Sequence, residues 1–238
     1  MKIRLFTIPN MLTLGNLLCG VLAIRATLLA EDYSLAFMLI VLAGVFDFFD
    51  GFTARMLNQS SAIGLELDSL ADMVSFGAAP ALIMCSLFAD ATKVFDNPVW
   101  VEYGYYAPLI IVAFSALRLA KFNLDTEQTT LFIGLPTPAC ALFCSSIGML
   151  HAKGLVISGE VIVALSVAMA LLLISPLRLF ALKFKGFGWS GNALRYSFIL
   201  AAAALFLWLQ LDSVPLIILL YIALSGVTHL VEMWSNEG

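Results

Sequence analysis

Four aspartates lie within a single 26-residue stretch of otherwise largely apolar sequence. Asp47 and Asp50 are three residues apart, and Asp68 and Asp72 are four residues apart. On α-helices these spacings put each pair on one face, because residues three or four apart lie within about 60° of each other around the axis. A short connection joins the two segments, so we predict antiparallel neighbouring helices whose four carboxylates face one another.

Converging carboxylates in a medium of low dielectric repel one another unless a positive charge lies among them. A divalent cation is the simplest such charge. Hard oxygen ligands without a nearby His or Cys favour magnesium or manganese over zinc. Four carboxylates can hold two ions, which can also bind a substrate diphosphate. We therefore predict two Mg²⁺ or Mn²⁺ ions, with a ligand set of Asp47, Asp50, Asp68 and Asp72.

Small residues and one arginine accompany the aspartates at fixed intervals. Gly51, Ala54 and Gly64 expose backbone on the predicted face, where a bulky ligand can approach closely. Arg55 offers a planar and permanently charged fork that suits phosphate. A solvated acidic surface is a poor alternative, because the surrounding positions are hydrophobic enough to enter a bilayer.

The composition indicates a polytopic membrane protein. Hydrophobic residues make up 62% of the 238 and charged residues only 12%. A spanning helix needs about 20 mostly apolar residues. On that criterion we predict an all-α bundle of about eight transmembrane helices, at residues 11–30, 34–56, 63–88, 104–121, 136–151, 159–178, 195–211 and 214–234. We expect one integral membrane domain, residues 1–238, with a catalytic six-helix core at 1–182 and two further helices at 183–238.

The distribution of basic residues predicts the orientation. With the N-terminus inside, nine of the 12 Lys and Arg residues fall on or near the cytoplasmic side. The carboxylates then lie in the cytoplasmic half of the membrane. The start of the chain shows no convincing cleavable signal, which favours a bacterial inner membrane. The pattern of residues 2–7 suits a short interfacial helix, and no patch for nucleic acid is present.

Two further features concern helix packing. Asn10, Thr13 and Asn16 recur every three residues in the first span, so this polar stripe is predicted to face protein and not lipid. In the third span, Pro80 removes a backbone donor and predicts a kink.

The aspartate stretch resembles the signature of the CDP-alcohol phosphotransferase family at every specified position. The pattern is Asp, two residues, Asp-Gly, two residues, Ala-Arg, eight residues, Gly, three residues, Asp, three residues, Asp. Three other segments are similar to the phosphatidylserine synthase branch: SFGAAPA after Asp72, RLAKFN from Arg118, and GLPTPA from Gly134. Lys121 and Thr137 depart mildly from the Arg and Ser that are common in that branch.

The resemblance implies a reaction and roles for these residues. It implies transfer of a phosphatidyl group from CDP-diacylglycerol to the hydroxyl of L-serine, which releases CMP, in a membrane enzyme that is commonly a homodimer. Asp72 would also take the proton from the attacking hydroxyl. The CDP moiety would be bound by Gly51, Ala54, Arg55 and Gly64. Direct in-line attack is the simpler mechanism, and a covalent intermediate stays open.

The acceptor site is less well defined by the sequence. Arg118, Lys121 and Asn123 can bind the carboxylate of an amino acid or the lipid phosphate, or they can simply mark the cytoplasmic end of a helix. The same chemistry with glycerol 3-phosphate or inositol phosphate is an alternative, because basic residues lie nearby. An ion-coupled transporter is a remote alternative, since intramembrane aspartates also form cation pathways.

Overall fold

The computed structural model describes residues 5–92, 102–124, 132–180, 188 and 192–236. The N-terminal half begins with helices α1 (Ile8–Ala30) and α2 (Tyr33–Met56). The next segment is continuous: α3 (Ala62–Asp72) runs into a π-helical turn (Met73–Ala78) and then into α4 (Ala79–Thr92).

The C-terminal half begins with a 3₁₀ turn (Gly104–Leu109) that leads into α5 (Ile110–Leu124). Two shorter helices follow, α6 (Thr137–Ala152) and α7 (Gly159–Ile174). The chain ends with α8 (Ala193–Leu209), a 3₁₀ turn (Gln210–Ser213) and α9 (Val214–Asn236).

The helix lengths confirm a polytopic, helical membrane protein. Within the described residues, five segments are long and apolar enough to cross a membrane, namely Ile8–Ala30, Tyr33–Met56, Ala62–Ala91, Gly104–Leu124 and Ala193–Val231, and the last of these contains α8 and most of α9. Helices α6 and α7 have 16 residues each, fewer than the roughly 20 that a bilayer needs. Eight separate spans therefore remain a prediction.

Two details of the predicted fold are wrong. The first is the interfacial helix over residues 2–7, of which residues 2–4 lie outside the described part. Leu5, Phe6 and Thr7 are not helical. Instead, the extended Thr7 caps α1, because its side chain accepts a hydrogen bond from the backbone N–H of Asn10. Pro9 in the first turn costs no hydrogen bond, since the first N–H groups of a helix have no partner within it.

The second is the end of the sixth predicted span, because its last residue, Arg178, belongs to a short strand and not to a helix. Strand β1 (Phe132–Ile133) pairs antiparallel with strand β2 (Arg178–Leu179). Helix α7 consequently stops at Ile174, four residues before the predicted end of the sixth span. Pro176 lies just beyond this end, where it cannot continue the helix.

The predicted distortion near Pro80 takes the form of a π-helical turn. The N–H of Ala79 bonds to the carbonyl of Val74, five residues earlier. Proline has no N–H and its ring collides with the carbonyl four residues before it. The wider turn accommodates the proline without breaking the helix, and it follows Asp72 directly, as π turns frequently do at functional sites.

The core is centred on α6, which packs against α2, α4 and α9. Its inner side chains include Cys140, Phe143 and Cys144, each no more than 1% exposed. All four cysteines are buried and free, in keeping with packing residues and not with a disulfide framework. Small residues also let backbones meet: a Cβ on Gly20 of α1 would lie 2.6 Å from the Cα of Ser75.

Gly134 follows β1 and packs closely against the C-terminal end of α7, so we expect its replacement to destabilise the packing between these two elements. Gly134 has a φ of +79°, and a Cβ there would lie 2.4 Å from the carbonyl oxygen of Leu173. We expect Gly134→Ala to lower the unfolding temperature in detergent strongly. The matched control is Gly154→Ala, which has a φ of +101° but open space, so it should cost only the backbone strain of about 1 to 2 kcal/mol. Equal losses in the two variants would contradict this account.

Candidate active site

Three of the four predicted metal ligands form a compact cluster. Carboxylate oxygens of Asp47, Asp50 and Asp68 lie within 4.8 Å of one another. Asp50 is only 5% exposed. One oxygen of Asp68, Oδ1, is buried and has no hydrogen-bond partner among the described residues. A buried carboxylate oxygen without a donor is costly, and the hard oxygen set fits a divalent cation that would bind it. This cluster could therefore hold such an ion.

Asp72 lies outside this cluster but close to it. Asp72 is 8% exposed, and its carboxylate is close enough to Asp47 and Asp68 to be repelled by their negative charges. Its Oδ1 accepts a hydrogen bond of 3.0 Å from the amide nitrogen of Asn16. The structure therefore separates Asp72, which has a protein donor, from three carboxylates that lie together.

The two aspartate helices do not pack directly against each other, contrary to the prediction. Helix α1 packs against both α2 and α3, whereas α2 and α3 make few direct contacts. The link between them turns sharply at Asn58, which has a φ of +51°. Ser61 then caps α3 by accepting a hydrogen bond from the N–H of Gly64 at 3.1 Å. The short link keeps the carboxylates close while a space remains between the helices.

This space is a cavity of about 250 Å³. Asp50 and Asp68 line it, so the cavity adjoins the carboxylate cluster. Its walls also contain all four residues that the sequence suggests for the CDP moiety: Gly51, Ala54, Arg55 and Gly64. A Cβ on Gly51 would meet only the Arg55 guanidinium, at 3.8 Å, so the glycine keeps the wall open beside the arginine. The link adds polar side chains, Gln59, Ser60 and Ser61.

Asp47 lines a second cavity, of about 470 Å³. Its walls are formed by α2, the π turn and α6, and Asp47 is the one charged side chain among the lining residues that the structure describes, which are mostly apolar and include Val45, Phe49, Phe76 and Leu142. The carboxylate cluster thus borders two cavities, one rich in polar side chains and one mostly apolar.

The three predicted acceptor residues differ in their surroundings. The amide nitrogen of Asn123 donates to the hydroxyl of Ser69, next to Asp68, at 2.8 Å. The Arg118 guanidinium is attracted by the charge of Asp72 and lies 5.6 Å from the centre of the Phe122 ring. Its Nε is buried without a hydrogen-bond partner within the described residues. Arg118 and Asn123 therefore adjoin the aspartate helix.

Lys121 is placed differently. Its side chain is exposed, and it lines a small crevice of about 10 Å³ with Arg118 and four apolar residues.

Sequence reasoning missed part of the site. Thr13 donates to Oδ2 of Asp50 at 2.7 Å, and the Ser75 hydroxyl lies 2.6 Å from the Oδ1 of Asn16. The three-residue spacing of the α1 stripe correctly predicted that Asn10, Thr13 and Asn16 are buried. It carried no signal for which aspartates they would meet, because the partners lie 37 and 56 residues away.

Comparison with known proteins defines the class. The sequence profile of the CDP-alcohol phosphatidyltransferase family matches residues 6–181, so this chain belongs to that family.

Within this family, the chain is similar to several individual proteins that share one name. The chain is similar to the CDP-diacylglycerol–serine O-phosphatidyltransferase of Bacillus subtilis (strain 168), with 41% identity over 132 residues, which are 55% of this chain and 69% of that protein. The protein of the same name from Helicobacter pylori (strain J99) is 35% identical over 142 residues, 58% of this chain and 55% of that protein. The one from Methanocaldococcus jannaschii is 35% identical over 148 residues, 60% of this chain and 63% of that protein. The alignments thus span between about half and two thirds of these relatives.

Proposed function

We propose that the protein transfers a phosphatidyl group from CDP-diacylglycerol to L-serine, with phosphatidylserine and CMP as products. The observation that carries this proposal is that the carboxylate cluster borders both a cavity rich in polar side chains, through Asp50 and Asp68, and a mostly apolar cavity, through Asp47. CDP-diacylglycerol has three matching parts: an apolar lipid for the apolar cavity, a diphosphate for the carboxylate cluster with its cations, and a polar nucleoside for the polar cavity. We assign serine as the acceptor because the similar proteins are named as serine O-phosphatidyltransferases.

We propose that two divalent cations, Mg²⁺ or Mn²⁺, are held by Asp47, Asp50, Asp68 and Asp72. When bound, such ions neutralise the diphosphate and stabilise charge on the departing CMP phosphate. Arg55 then binds a phosphate oxygen from the wall of the polar cavity, and Gly51, Ala54 and Gly64 let the nucleotide approach the backbone. The serine oxygen forms a bond to the phosphatidyl phosphorus as the bond to the CMP oxygen breaks, and Asp72 accepts the proton.

For the acceptor we propose Arg118 as the partner of the serine carboxylate. Its Nε is buried without a hydrogen-bond partner among the described residues, and it would donate a charge-assisted hydrogen bond to that carboxylate. Asn123, bonded to Ser69, would fix this end of α5 against the aspartate helix. Lys121 is exposed, so it would contact a lipid phosphate at the membrane surface and not the amino acid.

The finer description of the whole protein is also a proposal. We propose eight spans, with the catalytic core at residues 1–182 and α8 and α9 as additional helices. The bias of basic residues supports a cytoplasmic N-terminus and a site that opens to the cytoplasm. We further propose a bacterial inner membrane as the location and a homodimer as the assembly.

A panel of acceptors tests the proposed function. Purified protein in detergent is given CDP-diacylglycerol and Mn²⁺ or Mg²⁺ with L-serine, glycerol 3-phosphate or inositol phosphate, and CMP release is followed. We expect release only with serine and only with metal. The matched control is L-alanine, which has the same charged groups and no hydroxyl. Release of CMP with a phosphorylated alcohol in place of serine would contradict the assignment of serine as the acceptor. If no acceptor supports CMP release, the proposed enzymatic activity itself is wrong.

A further inference from the structure

Helix α1 brings uncharged hydrogen-bond donors to two of the four aspartates. The Thr13 hydroxyl lies 2.7 Å from Oδ2 of Asp50 and, less closely, 3.1 Å from the carbonyl oxygen of Pro9 on its own helix. The Asn16 amide nitrogen lies 3.0 Å from Oδ1 of Asp72. Thr13 is 3% exposed and Asn16 is fully buried. Being three residues apart, they share one face of α1. This helix carries none of the family's signature residues, yet it contacts both aspartate helices.

The orientation of the Asn16 side chain is determined by its two neighbours. A carboxylate only accepts hydrogen bonds, so the amide nitrogen of Asn16 must face Asp72. The carbonyl oxygen, Oδ1, then faces the Ser75 hydroxyl at 2.6 Å. That hydroxyl also lies 2.7 Å from the carbonyl oxygen of Ala71, so its single hydrogen is shared between this carbonyl and Asn16 Oδ1. A reversed amide would place two acceptors, Asn16 Oδ1 and the Asp72 carboxylate, against each other.

The helix backbones are close enough to enforce this arrangement. Gly20 lies four residues after Asn16 on the same face, and a Cβ on it would lie 2.6 Å from Ser75 Cα. Direct contact of the two backbones at this point limits how far Asn16 can move from Ser75 and Asp72. The contact also explains why a π turn that begins immediately after Asp72 carries a buried serine.

We propose that Thr13 and Asn16 are positioning residues, which turn the carboxylates of Asp50 and Asp72 towards the cations. This inference rests on the proposed function only in that cations bind the aspartates. A neutral donor occupies one oxygen of a carboxylate, fixes its plane and adds no positive charge that would compete with a cation. Such partners of metal ligands usually contribute 10- to 100-fold in metal affinity or activity, by a rough estimate.

The test is the affinity of the purified protein for Mn²⁺, measured from the electron paramagnetic resonance signal of the free ion. We expect Thr13→Val and Asn16→Ala to raise the dissociation constant of Mn²⁺ about 10- to 100-fold. Ser75→Ala should raise it in the same direction by a smaller factor, because Asn16 stays in place but can rotate.

Two other buried residues provide matched controls. Thr27 lies on the same helix as Thr13, and within the described part of the chain its hydroxyl bonds to the carbonyl of Ala23 alone; the hydroxyl of Ser166 on α7 likewise bonds to that of Ile162. Thr27→Val and Ser166→Ala therefore lose a bond to a backbone carbonyl, as Thr13→Val does, but no bond to an aspartate, and should leave the Mn²⁺ affinity within about twofold. Thr13→Val is nearly isosteric, so it and Ser75→Ala decide the matter if Asn16→Ala does not fold.

An unchanged Mn²⁺ affinity in Thr13→Val and Ser75→Ala would overturn the inference, as would an equal loss in the controls. The outcome is independent of the acceptor alcohol. If the wild-type protein releases no CMP with serine but the affinity pattern holds, the proposed reaction falls and the positioning role stands. If CMP is released with serine but the Mn²⁺ affinities of the variants do not change, the proposed reaction stands and the positioning role of Thr13 and Asn16 is wrong.

Discussion

Asp68→Asn is expected to reduce serine-dependent CMP release on the order of 10³-fold. The substitution keeps the shape of the side chain but replaces a charged ligand with a neutral amide. Metal stabilisation of the transition state contributes several kcal/mol, and each 1.36 kcal/mol corresponds to about tenfold in rate. Since Asp68 Oδ1 is buried without a donor in the described part of the chain, this carboxylate depends on a cation more than a hydrogen-bonded one does.

The control for this variant is Glu66→Gln, because Glu66 is an exposed carboxylate on the same helix, two residues away. It should retain wild-type activity. Mn²⁺ should raise the unfolding temperature of the wild-type protein and of Glu66→Gln, but not that of Asp68→Asn. An Asp68→Asn protein that keeps a tenth or more of the activity would contradict the assignment of this carboxylate.

Arg55→Gln is expected to lower kcat/KM for CDP-diacylglycerol about 10- to 150-fold. Arg55 lines the polar cavity beside Gly51 and is the one cationic side chain among the lining residues that the structure describes there. A hydrogen bond to a charged group is worth about 1.5 to 3 kcal/mol, which converts to this factor at about 1.36 kcal/mol per tenfold. The loss should appear mainly in KM for the lipid substrate if Arg55 binds the diphosphate in the ground state, and in kcat if it acts only in the transition state.

The matched control is Arg25→Gln, which removes the same charge from an exposed position on α1. We expect it to leave KM for CDP-diacylglycerol unchanged. The KM for serine should also stay unchanged in Arg55→Gln, since that acceptor is assigned to Arg118. A variant of Arg55 that alters only the serine KM would show that the two substrates have been placed in the wrong halves of the site.

The clustering of the carboxylates was predictable because its information is local. The spacings predicted one shared helix face for Asp47 with Asp50 and another for Asp68 with Asp72, the short link predicted that the two faces meet, and a 26-residue frame carried the resemblance to the family. Cavity residues such as Gly51 and Arg55 belong to the same frame, so their placement around one space follows from two helices and a short link.

What could not be predicted depends on contacts between distant parts of the chain. Periodicity showed that Thr13 and Asn16 face protein, but their partners are set by the packing of α1 between α2 and α3. The pairing of β1 with β2 joins residues 45 and 47 positions apart, in strands of two residues each that are too short to show an alternating pattern. The left-handed Gly134 stands in a run that reads as part of a motif, and only the close carbonyl of Leu173 explains why the position needs a glycine.

The most direct test of the account is the balance of products. Purified protein is incubated with CDP-diacylglycerol, Mn²⁺ and radiolabelled L-serine, and labelled lipid and CMP are quantified together with and without a chelator. We predict one phosphatidylserine for each CMP, complete dependence on the metal, and loss of both products in Asp68→Asn. CMP release without labelled lipid, or equal yields of both products in the presence of the chelator, would contradict metal-dependent transfer to serine.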